Sequence, residues 1–291
     1  MSSAIQIRFR SILEYHLDLD SGSRRPTNHT DIRKRKTYSG TLTPHGKKRM
    51  ERSCEFFLQS TKYKMVNNPI LNIKHKFHSA FITLTIPLQE YNINQIKKDC
   101  FTPFIQKLIR DHKLNKYIWK LEFTKEGMPH FHIITDTWIH YKVIRQTWNK
   151  LLANAGYLNE YFKTHSNYNA NSTDVHSARN HKSSVAYMVK YISKSFDELP
   201  DKLRKNIADN CDKIGKVWDC SLCLKKFKYY TTVAQGYHAN ILKSLEQAGE
   251  LIIKSFDYFS LYLLKRLNPY SILEDYERKE YFELINQINT S

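Results

Sequence analysis

Two histidines and a carboxylate carry the clearest chemistry in this sequence. His130 and His132 flank Phe131 inside the run Pro129-His130-Phe131-His132-Ile133-Ile134. In a strand, residues i and i+2 point to the same face, so both imidazoles face one way and Phe131 the other. Glu122 lies on the preceding apolar run, and the turn-like Lys125-Glu126-Gly127-Met128-Pro129 separates the two. A hairpin over 117–135 therefore brings Glu122 close to opposite His130 and His132. Two imidazoles and one carboxylate suit a divalent ion such as Mn²⁺ or Mg²⁺ and leave positions open for a phosphate oxygen. A His-x-His pair also arises in strands that bind no metal. Glu122, placed by the hairpin, is what adds weight to the metal reading.

The second constellation is Tyr187-Met188-Val189-Lys190-Tyr191-Ile192-Ser193-Lys194. On a helix Tyr187 and Tyr191 are i, i+4 and share a face, and Lys190 and Lys194 form a second such pair beside them. A phenol with its ordinary pKa near 10 is a poor nucleophile. It needs a nearby cation or base, and the phosphorus it attacks needs a metal to polarise it. So equipped, it would join tyrosine to DNA as a phosphotyrosine ester. The plainer reading is an aromatic stripe that packs the helix on a sheet, with solvated lysines.

The elements that must position these groups follow from the patterning. Residues 79–87 and 117–123 read as strands, as do 130–135 and a short 172–176. Residues 45–61, 92–113 (with Pro103 as a kink), 141–155 and 183–195 read as helices. Residues 221–233 add one more strand. Because helices alternate with a hairpin, the sheet is at least partly antiparallel. Residues 1–40, with Arg33-Lys34-Arg35-Lys36, read as a basic flexible arm, and 41–78 as a basic helical lead-in. Residues 236–291 read as a helical extension that packs on the domain or on a second copy of the chain, so homo-oligomerisation is one expectation.

Composition narrows the partner. The 291 residues carry 46 Lys and Arg against 28 Asp and Glu, a net charge of +18. The excess sits in residues 1–233; residues 234–291 carry 6 basic and 8 acidic groups. With 19 tyrosines and 15 phenylalanines, the chain suits a partner held by backbone charge and base stacking, namely nucleic acid. Arg179, Lys182 and Lys194, with Arg33, Lys34, Arg35 and Lys36, are the candidate DNA contacts. No apolar run is long enough for a membrane span and no secretory h-region is present, so membrane association is not expected. Five scattered cysteines argue for a reducing compartment, and the expected location is the cytoplasm. Cys220-x-x-Cys223 is half a zinc knuckle without a second pair, Cys211 and His238 being poorly spaced. Asp174 and His176 share a strand face, either as neighbours of the metal site or as a self-satisfied polar pair. No Gly-x-x-x-x-Gly-Lys-Ser/Thr loop is present.

Taken together, Phe81-Ile82-Thr83-Leu84-Thr85, then Pro129-His130-Phe131-His132-Ile133-Ile134, then Tyr187-Met188-Val189-Lys190-Tyr191 resemble the three motifs of the HUH endonucleases. The resemblance is to the rolling-circle replication initiators of small bacterial plasmids and single-stranded DNA phages. It covers roughly 79–230, with Glu122 at the place of the upstream acidic metal ligand. It implies an α+β fold with a central antiparallel, RRM-like sheet of about five strands and helices packed on it. It implies metal-dependent nicking and joining of single-stranded DNA at an origin hairpin. Tyr187, Tyr191 and Lys190 would be catalytic, and His130, His132 and Glu122 would be the metal ligands. A host helicase and polymerase are the further partners it implies, in the cytoplasm of a bacterial host. The alternatives are a transposase or relaxase of the same superfamily, and a non-catalytic single-stranded nucleic-acid-binding module.

Overall fold

The computed structural model describes residues 2–17, 42–68, 72–87, 92–124, 126–180, 184, 188, 201, 205, 214–256, 259–266 and 268–290. The chain divides into two compact units, Met1–Lys34 with Lys226–Ser291 and Arg35–Lys225.

The terminal unit is built on a five-stranded sheet. Ser2–Ile7 (β1) and Ser11–Leu17 (β2) form a hairpin. Tyr230–Val233 (β10) pairs with β1, Phe259–Leu264 (β12) pairs with β2, and Leu251–Ser255 (β11) pairs with β12, all antiparallel. The first 17 residues are thus interior strands of a sheet, where the sequence predicts the start of a flexible arm. The physical reason is alternation. Ile5 and Ile7 point one way, Ala4 and Gln6 the other, and Ile7 stands opposite Ile12. Ile5, Ile7 and Ile12 are buried, and the flanking charges mask this period-2 signal. The C-terminal segment contains β11 and β12 as well as the helices Gly236–Gln247 and Asp275–Thr290, so it is not purely helical.

In the second unit the expected elements recur. Helix α1 (Pro44–Ser60) starts at Thr43, whose hydroxyl accepts from Gly46 N–H. A two-stranded ribbon follows, Lys64–Asn68 (β3) and Ile73–Phe77 (β4). The main sheet consists of Ser79–Thr85 (β5), Tyr117–Phe123 (β6), Pro129–Thr135 (β7), Thr173–Ala178 (β8) and Trp218–Cys220 (β9). Its order is β8-β5-β7-β6-β9 and every pairing is antiparallel. This is the α+β class and the five-stranded antiparallel sheet that the sequence predicts. Pro103 does not simply kink its helix. Ile93–Ile96 (α2) runs into a π-turn over Lys97–Phe101, with the Thr102 N–H reaching Lys97 O, and Thr102–His112 (α3) then continues.

The sheet has two unlike faces. Ile82, Leu84, Trp119, Leu121, Phe131 and Ile133 point to one and are buried. Phe101 stacks on Phe131 with ring centres 4.1 Å apart and meets Trp119 edge-on at 4.9 Å. Trp148, on Tyr141–Asn154 (α4), packs on Phe104 and donates its indole N–H to Thr85 O at 3.0 Å. This side holds the core and fixes the strands. The opposite face carries the polar residues.

Candidate active site

Strand register decides which side chains meet. Glu122 stands directly opposite His130, and Lys120 directly opposite His132. On the other flank of β7, Thr85 is opposite His130 and Thr83 opposite His132. Asp174 of β8 is opposite Thr83. Directly opposed residues share a face, so Thr83, Thr85, Lys120, Glu122, His130, His132 and Asp174 share the face away from the aromatic core. The hairpin that sets this register turns at Gly127, whose φ of 86° lies where glycine is favoured; its N–H bonds Thr124 O, and Met128 O accepts from Thr124 N–H.

The side chains form a connected cluster. His132 Nε2 lies 3.4 Å from Glu122 Oε2, and Lys120 Nζ lies 3.3 Å from Glu122 Oε1. His132 Nδ1 lies 3.0 Å from Thr83 Oγ1. The His130 and His132 ring centres are 6.0 Å apart, nearly edge to face. The Lys120, Glu122 and His132 side chains are at most a tenth exposed, so their charges act through little water. Among the described residues no group of three or more His, Cys, Asp and Glu is arranged to hold a metal ion. The donor chemistry nevertheless fits one. Two ligands about 2.1 Å from a common ion stand roughly 3.0–3.4 Å apart, which the Glu122–His132 separation matches, and Thr83 is placed to orient the second nitrogen of His132. Lys120 and Thr83 are site residues that the sequence reading did not single out. The signal was available, because both share the i, i+2 face with a residue that it did single out.

The segment bearing the tyrosines is represented by two helical residues. Ser184 and Met188 are both buried. The Ser184 hydroxyl lies 2.8 Å from Ser79 Oγ, 2.9 Å from His78 Nδ1 and 3.2 Å from Asn180 O. Ser79 has the same parity on β5 as Thr83, so the segment is anchored on the polar face at this point. Tyr187, Lys190, Tyr191, Lys194, Lys182 and Arg33–Lys36 lie outside the described residues. Arg179 is exposed at the end of β8.

Two other sequence readings resolve differently. Asp174 and His176 bond each other at 2.8 Å on an exposed strand, the self-satisfied pair. Cys220 Sγ lies 3.4 Å from Ser53 Oγ, while Cys223 Sγ reaches Asn115 O at 3.6 Å. The two thiols thus face separate partners. Burial, with the Ser53 bond pulling the other way, pushes the Cys220 thiol above its ordinary value, and Cys211 lies outside the described residues.

The family model for replication-associated proteins of the ORF2 type matches residues 79–196. That stretch runs from β5 through the hairpin to the tyrosine-bearing segment, and the match agrees with the resemblance to rolling-circle initiators. No curated protein and no solved structure matches the chain. No helix among the described residues is long and apolar enough to cross a membrane.

Proposed function

We propose that this chain, whose residues 79–196 match replication-associated proteins, is the nicking and joining enzyme of rolling-circle replication. The observation that carries the reading is the pairing of Glu122 with His130, and of His132 with Thr83 and Lys120, on one face of the sheet. Glu122, His130 and His132 would hold a divalent ion, Mn²⁺ or Mg²⁺, which when bound supplies Lewis-acid polarisation of the scissile phosphate. Thr83 orients the His132 ring, and Lys120 offsets the Glu122 charge.

The nucleophile in this reading is Tyr187, with Lys190 at i+3. The Tyr187 phenol oxygen attacks phosphorus and the bond to the 3′ oxygen breaks. The 5′ phosphate stays on the protein as a phosphotyrosine ester, and the 3′ oxygen leaves with a proton as a free hydroxyl that primes synthesis. Lys190 either lowers the cost of forming the phenolate or holds the phosphate. Tyr191, one helical turn on, serves as a second phenol for strand transfer, and reversal of the ester chemistry joins the ends. Host helicase and polymerase would complete the replication step, in the bacterial cytoplasm.

Nicking can be tested with end-labelled single strands tiling the DNA that flanks the gene, incubated with the protein and Mn²⁺. The expected result is cleavage at one position, a 3′ end that a polymerase extends and a 5′ end blocked by protein. Cleavage equally strong in EDTA, or a polymerase-inert 3′ end, would contradict the reading.

A further inference from the structure

The β3–β4 ribbon stands outside the main sheet and has its own chemistry. Residues 62–77 contain Lys62, Lys64, Lys74, Lys76 and His75 and no Asp or Glu. Register divides the ribbon into two faces. Lys64, Val66, His75 and Phe77 share one, because Lys64 pairs with Phe77 and Val66 with His75. This face is tied to the unit. Phe77 is fully buried, His75 meets Trp138 edge-on at 6.3 Å, and Lys64 reaches Asp136, which also holds the buried Lys116 at 2.9 Å. Met65, Asn67, Lys74 and Lys76 share the other face, since Met65 pairs with Lys76 and Asn67 with Lys74. All four are exposed, Met65 by 65%. Tyr63 continues this side, with Lys76 Nζ 4.0 Å from its ring centre.

We propose that this outer ribbon face binds duplex DNA in the major groove, separately from the nicking face. Three features point there. The groove, about 12 Å wide, admits a two-stranded ribbon, whereas a single strand offers no groove to fill. Two lysines flank an amide, and Asn67 can pair bidentately with an adenine edge while Lys74 and Lys76 meet phosphates or guanine. Met65 supplies the apolar contact that a thymine methyl takes. The root of the ribbon is pinned by a buried ion pair, so the face is presented rigidly. This deepens the initiator reading and rests on it, because an enzyme that nicks a single strand at an origin hairpin needs a second surface to hold the adjoining duplex.

The test uses the full chain and two fluorescent probes, a mixed-sequence 20-bp duplex and a dT20 single strand, with wild type and the Lys74→Gln/Lys76→Gln variant. Removing two phosphate contacts should weaken duplex binding on the order of tenfold and flatten the slope of log K against log salt by about 1.8. Binding of dT20 should be unchanged. Met65→Glu, which puts a carboxylate in the centre of the face, should weaken duplex binding more than dT20 binding. Unchanged duplex affinity and slope in the double variant would overturn the proposal, as would an equal loss on both probes. Failure of nicking would leave these binding outcomes intact, so the two readings fail separately.

Discussion

His132 sits between two partners, Thr83 on one ring nitrogen and Glu122 on the other. Such a ring is oriented before it is asked to bind anything. If Nε2 is to offer a lone pair to an ion, Nδ1 must carry the proton and donate it to Thr83 Oγ1. Thr83→Val keeps the shape and removes only the acceptor. It should raise the Mn²⁺ concentration needed for half-maximal cleavage by roughly 10–100-fold, with little change in DNA affinity at fixed salt; an unchanged Mn²⁺ requirement would show that the contact is only structural. Glu122→Ala or His130→Ala should abolish cleavage and leave DNA binding largely intact, because binding rests on charge elsewhere. Full cleavage by either variant in chelator-treated buffer would remove that residue from the ligand set.

At the scale of elements, the strands hold the site because the aromatic core under them is packed and because one helix is pinned beside them. Ser184 bonds Ser79 and His78 at the start of the tyrosine-bearing segment. Ser184→Ala should cost about 1–3 kcal/mol of stability, as a buried hydrogen-bond network is broken, and should slow DNA cleavage more than it weakens DNA binding. Equal effects on the two would mean that the serine does not position the segment. The His-x-His hairpin was legible in the sequence down to its register, because alternation, a turn and the Glu122 offset all agree. The β1–β2 hairpin was not. Its alternation is short, its charges resemble those of the basic run further on, and its partners β10 and β12 lie over 200 residues away. The same long-range assembly hides a buried carboxylate. Glu277 accepts from Tyr237, from Thr232 Oγ1 at 2.9 Å and from Glu274 N–H at 3.2 Å, and lies 3.2 Å from His238 Nε2. Gln235 N–H donates to His238 Nδ1, so the Nε2 proton points at the carboxylate. Burial alone would raise the Glu277 carboxyl, but these donors outweigh it and hold the group below its ordinary 4.5. The unfolded chain therefore binds more protons, and the stabilisation is present above pH 4.5 and lost as pH falls through the lower folded value. Acid titration of unfolding should show this limb in the wild type and not in Glu277→Gln; identical limbs would contradict it.

For the whole molecule, the charge map and the two sheets assign different tasks. The +18 net charge predicts DNA affinity that falls steeply with salt, and replacing Arg33–Lys36 by serines should flatten the slope by up to about 3.6 if all four meet phosphates. An unchanged slope would mean that these residues touch none. Deletion of residues 1–17 is a different experiment. It removes two interior strands of the terminal sheet and leaves β10 and β12 with open edges, so aggregation is the expected outcome, read by light scattering. The central claim is that a tyrosine of this chain becomes joined to DNA through a 5′ phosphate at the face formed by Glu122, His130 and His132. The most direct measurement incubates wild type, Tyr187→Phe and Tyr191→Phe with labelled single-stranded DNA from the flanking region and Mn²⁺, then resolves the products on a denaturing protein gel. The account predicts a label-bearing protein band in the wild type, its absence in Tyr187→Phe, and its retention with impaired strand transfer in Tyr191→Phe. A full-strength band from Tyr187→Phe would move the nucleophile to another residue, and the absence of any band from cleaving wild-type protein would contradict the covalent mechanism itself.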